Sequence, residues 1–189
     1  MELPSKIFYS KLNFSDEELK QHEDKCKSYN LINTDSEIIK ICAKLVKYLT
    51  NYNEQNNGDL KDHHCNLLSL WIIEQLFEKF ERKSGKVAVP YNHLRFIIND
   101  VIKEFTQSEF DNCLRYVPVS QYVIWKKRKD LYDYCVDYDK FNKLDDFSDK
   151  KCQEYEEYIN EISPLYNQIE TLYIPEYKTM NKDFYEKCR

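Results

Sequence analysis

The sequence predicts an all-α fold: a compact multi-helix bundle around one central buried helix, stapled by disulfides. Three observations predict it. Apolar residues recur at helical rather than strand spacing. Three Ser/Thr-x-x-Glu capping boxes open successive helices. The chain of 189 residues holds only 2 glycines, Gly58 and Gly85. A β-sandwich would draw on glycine for the positive φ of its tight turns. The same scarcity excludes a dinucleotide-binding fingerprint, a Walker loop and a nucleophile elbow, which each need closely spaced glycines.

In chain order, Ser15-Asp16-Glu17-Glu18 is the first box. The serine hydroxyl and the glutamate carboxylate each satisfy an orphan backbone N–H, so a helix starts there and runs to about Tyr29. Thr34-Asp35-Ser36-Glu37 repeats the signal. Ile38, Cys42, Leu45 and Leu49 then line one side, with Lys40, Lys44 and Lys47 opposite, the pattern of an amphipathic surface helix. Residues 51–59 read as a polar loop. From about Asp62 to Lys83 the apolar residues, among them Leu67, Leu68, Trp71, Ile72, Leu76 and Phe77, wrap most of the circumference. This is the predicted central helix, ended by Ser84-Gly85-Lys86.

Pro90 suits the first turn of the next helix, where its missing N–H costs nothing, and that helix runs to about Phe105. Thr106-Gln107-Ser108-Glu109 opens a short helix to Tyr116. A long helix from Gln121 to about Phe141 carries the basic cluster Lys126-Lys127-Arg128-Lys129. Ser148 caps a helix from Asp149 towards Ile162, which Pro164 kinks or restarts. Pro175 opens the last segment. Val87-Ala88-Val89 is the only strand candidate, and it is short. No internal repeat or linker divides the chain, so residues 1–189 read as a single domain with one core.

Hydrophobic residues at 42% and charged residues at 32% are a soluble globular composition, and the net charge of −5 argues against a nucleic-acid or anionic-membrane partner. No stretch approaches the ~18–20 consecutive apolar residues of a spanning helix. The first residues lack the basic start and apolar core of a signal peptide. No cofactor is expected.

Few residues propose chemistry. Asp62-His63-His64-Cys65 spells the DHHC signature of protein S-acyltransferases, whose cysteine is the acylated nucleophile. Those enzymes add zinc-binding cysteine pairs and spanning helices, and neither is found here, so the match is a coincidence. As metal ligands, adjacent residues on a helix point about 100° apart and rarely share one tetrahedral ion. His63 and His64 read instead as solvated or helix-capping side chains. Carboxylate pairs such as Asp145-Asp146, Glu156-Glu157 and Asp137 with Asp139 read as solvated, as does the basic cluster. Asn13-Phe14-Ser15 fits a glycosylation sequon, although Ser15 is better explained as a helix cap. Tyrosine reaches 16 and crowds the C-terminal third, from Tyr132 to Tyr185, where helix packing with hydroxyls reaching water accounts for it. No catalytic residue and no metal site is expected.

Four segments carry a resemblance. Leu3-Pro4-Ser5 opens the chain. Cys65-Asn66-Leu67-Leu68-Ser69-Leu70-Trp71-Ile72 fits C-x-x-L-x-x-W-I. The stretch from Lys129 to Asp139 fits K-x-L-Y-D-Y-x-x-x-Y-D. Cys152-Gln153-Glu154-Tyr155-Glu156-Glu157-Tyr158-Ile159 fits C-x-x-Y-x-x-Y-I. In this order they resemble the Plasmodium interspersed repeat (PIR) proteins, whose vivax branch is called Vir. The sequence departs from the family pattern at Ile73, Glu74 and Glu156, the last replacing a cysteine that many members carry.

The resemblance implies a helical ectodomain of a variant surface antigen, on the infected red cell or parasite surface. Its implied roles are antigenic variation, immune evasion and adhesion to a host-cell or immune receptor, without enzyme activity. Family members continue into a spacer, one transmembrane helix and a short tail. The chain is accordingly expected to be an ectodomain that ends just after Cys188, a monomer in itself, anchored to the membrane by a helix it does not contain. The alternative is an exported or intracellular helical scaffold with reduced thiols that contacts host or parasite proteins.

Seven cysteines allow at most three bridges with one thiol over. The replacement at Glu156 points to Cys135 as the odd one. Cys152–Cys188 would tie down the chain end, closing a loop of about 36 residues worth ~3–4 kcal/mol in the chain-entropy model. Cys26–Cys65 and Cys42–Cys113 are the first choice for the rest, because Cys42 lies on the apolar face of its helix. Cys26–Cys42 is nearly as reasonable across a helix pair.

Overall fold

The computed structural model describes residues 3–29, 35–50, 60, 63–101, 121–142 and 149–168. Among them every regular element is helical: α1 (Pro4–Ser10), α2 (Asp16–Lys27), α3 (Ser36–Thr50), α4 (His64–Lys79), a 3-10 turn (Ser84–Lys86), α5 (Ala88–Val101), α6 (Tyr122–Asn142) and α7 (Asp149–Tyr166). The fold is all-α, as the periodicity and caps require. The chain divides into two compact units, one taking residues up to Ile7 and from Val123 onward, the other Phe8–Tyr122.

In the second unit α2 begins at the predicted box. The Ser15 hydroxyl accepts from the Glu18 N–H at 3.4 Å, and the Glu18 carboxylate accepts from the Ser15 N–H at 2.9 Å. α3 is capped one residue later than its box suggests. Asp35 Oδ1 accepts from the N–H groups of Glu37 and Ile38 at 3.1 and 3.2 Å, a carboxylate facing the positive end of the helix dipole. Thr34 lies outside the described residues.

α3 is also more than a surface helix. Beyond the expected Ile38, Cys42, Leu45 and Leu49, it buries Ile39, Ile41, Ala43, Val46 and Tyr48. Its lysines hold the remaining narrow stripe. α4 is the buried core helix the sequence predicts, with Leu67, Leu68, Ile73, Leu76 and Phe77 fully covered and Trp71 only 5% exposed. Each such side chain contributes roughly 1.5–3 kcal/mol on burial.

α4 does not end at Ser84-Gly85-Lys86. It ends at Lys79, in a Schellman motif: the Arg82 N–H donates to the Phe77 carbonyl at 2.8 Å and the Glu81 N–H to the Glu78 carbonyl at 3.3 Å. Glu81 and Arg82 take the left-handed backbone, φ 50° and 64°, that glycine usually supplies. Val87-Ala88-Val89 is no strand; Val87 is buried and α5 starts at Ala88, with Pro90 in its first turn as expected. The expected continuation to Phe105 and the short helix over residues 106–116 lie outside the described residues.

One bridge joins α2 to α3. Cys26 and Cys42 are disulfide-bonded, both fully buried, with Cα atoms 6.1 Å apart. The expected Cys26–Cys65 and Cys42–Cys113 pairings are therefore corrected. Direct packing of α2 on α3 brings these two sulfurs together, so the nearer partner takes each of them. Cys65 is itself half of a disulfide. Cys113, Cys188 and the side chain of Cys152 lie outside the described residues.

In the first unit α6 packs on α7 through Leu131 and Ile162, flanked by Tyr134, Tyr158 and Leu165. α7 neither stops nor restarts at Pro164. The proline sits in the last turns, where its ring removes one hydrogen bond, and the Asn167 N–H still reaches the Ser163 carbonyl at 3.2 Å.

Candidate functional site

The residues that spell an acyltransferase signature are structural. Asp62 lies outside the described residues. His63 occupies the cap position of α4, partly exposed and without a side-chain cap bond, whereas His64 is 2% exposed and so is not the solvated or capping histidine that the sequence suggests. His64 stacks on Tyr48 with ring centroids 5.2 Å apart, and Phe8 meets it edge-on at 5.3 Å. The Tyr48 hydroxyl bonds His64 Nε2. Burial first, and the nearby Lys11 ammonium second, push the imidazole down to about 4, so it stays neutral at pH 7. A Cys65 sulfur held in a disulfide cannot serve as a nucleophile or a thiolate ligand. Among the described residues no three His, Cys, Asp or Glu side chains converge to hold a metal.

The basic cluster on α6 is not a solvated face either. Lys126 pairs with Asp130 one turn on, and the buried Lys129 pairs with Asp133 at 2.7 Å. A signal for this lay in the sequence. Trp125, Lys129, Tyr132 and Val136 fall at helical spacing, which sets Lys129 in a buried stripe. A lysine there requires a partner, and Asp133 stands four residues away.

The other buried ion on α6 escaped sequence reasoning. Asp137, read as one of a solvated pair, is fully buried. Its Oδ1 accepts from the Ser5 N–H at 2.8 Å, and its Oδ2 accepts from the Ser5 hydroxyl at 2.7 Å and the Tyr158 hydroxyl at 3.4 Å. Ser5 lies in the first turn of α1, just after Pro4, so a side chain 132 residues away caps this helix. Loss of water pushes the carboxyl up to about 6, against the Ser5 hydrogen bonds, and neighbouring Asp133 pushes the same way. Burial and the same acids raise the Tyr158 phenol far above its usual range.

Beside this junction lies a tyrosine surface. Tyr134 meets Tyr138 edge-on at 5.9 Å and Tyr158 at 6.1 Å, and Tyr138 and Ile159 remain 47% and 37% exposed. Tyr132, by contrast, is fully buried. Cys135, on the same helix, is a half-buried thiol. Among the described residues no helix is long and apolar enough to cross a membrane.

Ser5 belongs to the Leu3-Pro4-Ser5 opening, Asp137 to the segment from Lys129 to Asp139, and Tyr158 to the segment from Cys152 to Ile159. Three of the four stretches that carry the resemblance thus meet at one buried carboxylate. The family description "Plasmodium vivax Vir protein" matches residues 3–189, nearly the whole chain. The chain belongs to this family. No curated protein and no solved structure matches the Vir chain. Membership places it among variant surface antigens of malaria parasites, a family not known for enzymes.

Proposed function

We propose that this Vir chain is displayed on or near the infected red cell surface and acts there in antigenic variation, immune evasion and adhesion to a host-cell or immune receptor. The family match over residues 3–189 carries the reading. Two features support it. A buried Cys26–Cys42 bridge and a bonded Cys65 suit an oxidising exterior rather than a reducing cytosol. The exposed Tyr138 and Ile159 beside Tyr134 offer the amphipathic contact area typical of recognition surfaces. No nucleic-acid partner, cofactor or catalysis is assigned, and the protein is taken to act as a monomer.

Antibodies raised against the α6–α7 hairpin surface test the display. They should label intact infected red cells; labelling only after permeabilisation would overturn it and favour the intracellular scaffold. A screen of the chain against host surface proteins tests adhesion. A receptor found this way should bind a Tyr138→Lys variant at least tenfold more weakly if the tyrosine surface is the contact. Counting free thiols in the unreduced protein, opened in denaturant so that buried ones react, separates the two classes: about one is expected for the surface antigen, seven for the scaffold.

A further inference from the structure

We propose that Asp137, Ser5 and Tyr158 form a proton-linked latch that fastens the N-terminal segment, residues 3–7, to α6 and α7. The geometry carries it. Three segments distant in sequence converge on one carboxyl group that no water reaches, with Ser5 supplying both its N–H and its hydroxyl at 2.8 and 2.7 Å. Closing the latch buries that carboxyl; opening it returns the group to water.

The charged and titratable groups around it set the direction. Among the described residues, α1 presents the neutral Ser5 to Asp137, and α7 presents the Tyr158 hydroxyl. On α6 the nearest charge is another acid, Asp133, and Lys129 is committed to Asp133 at 2.7 Å. Among the described residues, then, no cation compensates the buried charge at Asp137 itself. The closed latch takes up a proton more readily than the open one, where the carboxyl titrates near its usual 3.8 rather than about 6. Its closing tendency is thus greatest below about pH 4 and falls roughly a hundredfold as pH rises through 6. Above that the three donors still hold the carboxylate, but against its desolvation.

Amide hydrogen exchange on the full chain at pH 5.0 and 7.5, corrected for intrinsic rates, reads the latch at the Ser5 amide. The Leu19 amide in α2 serves as the reference for the second unit. Ser5 should be at least tenfold more protected at pH 5.0, while Asp137→Asn, which keeps an acceptor and never ionises, should show equal protection at both pH values. Equal protection in the unaltered protein, or a pH response that survives in Asp137→Asn, would overturn the proposal. Should that variant fail to fold, Ser5→Ala removes one donor to the carboxylate. It must move the midpoint of the pH response upward, and an unmoved midpoint would also overturn the latch.

Discussion

At the scale of single residues, burial of ionisable side chains decides how the protein answers to pH. His64 is neutral in the fold and held down at about 4, whereas in the unfolded chain it titrates near 6.5. Between those values the unfolded state binds more protons, so the stability His64 confers is full above 6.5 and lost as pH falls towards 4. By pH 5 the loss is about 2 kcal/mol by linkage. His64→Gln, whose amide can still hydrogen-bond Tyr48, should remove most of that acid sensitivity in urea melts at pH 7 and pH 5; an unchanged difference would mean that His64 is not its source. Trp71 tests the core more bluntly. Its replacement by alanine should cost roughly 3–5 kcal/mol, and a Trp71→Ala protein with unaltered melting would contradict the burial of α4.

At the scale of elements, the joints carry more than the surface charges. The exposed pairs Lys40–Asp16 and Lys47–Glu18 span α2 and α3 at 2.8 and 2.7 Å, yet such pairs contribute only ~0–1 kcal/mol. The bridge between the same helices closes a separation of 16 residues, worth about 3 kcal/mol in the chain-entropy model. Replacing Cys26 and Cys42 together by serine should therefore lower the urea midpoint far more than Lys47→Ala does. The end of α4 offers the opposite sign. Glu81 holds φ 50° without being glycine, a conformation that costs an L-residue roughly 1 kcal/mol. Glu81→Gly should raise the thermal midpoint, offset in part by the freer unfolded chain, and a clear fall would mean that the Schellman turn is not strained.

At the scale of the whole molecule, each unit holds one of the 2 tryptophans, Trp71 in one and Trp125 in the other, both buried. Phe substitutions of each in turn leave a reporter for a single unit. The acid-sensitive His64 sits with Trp71, and Asp137, whose carboxyl favours the fold more as pH falls through 6, sits with Trp125. Acidification from pH 7 to pH 5 should lower the unfolding midpoint seen by Trp71 and raise the one seen by Trp125, by about 2 and 1 kcal/mol respectively. Where the two tryptophans report separate transitions, movement of both in the same direction would contradict the opposite shifts of the two groups.

What the sequence determined by itself is local. The helical class, the Ser15 box, the place of Pro90 and the all-round burial of α4 follow from periodicity and capping, which act over a few residues. The family was legible too, because its motifs are runs of neighbours. Only the tertiary structure decided that Cys26 meets Cys42, where α4 stops, and that Asp137 is the buried acid among the described residues. Those outcomes depend on which segments the packing brings together. Ser5 and Asp137 stand 132 residues apart, and nothing in either neighbourhood records the other. A carboxylate loses its water because of what covers it, and the cover comes from elsewhere in the chain.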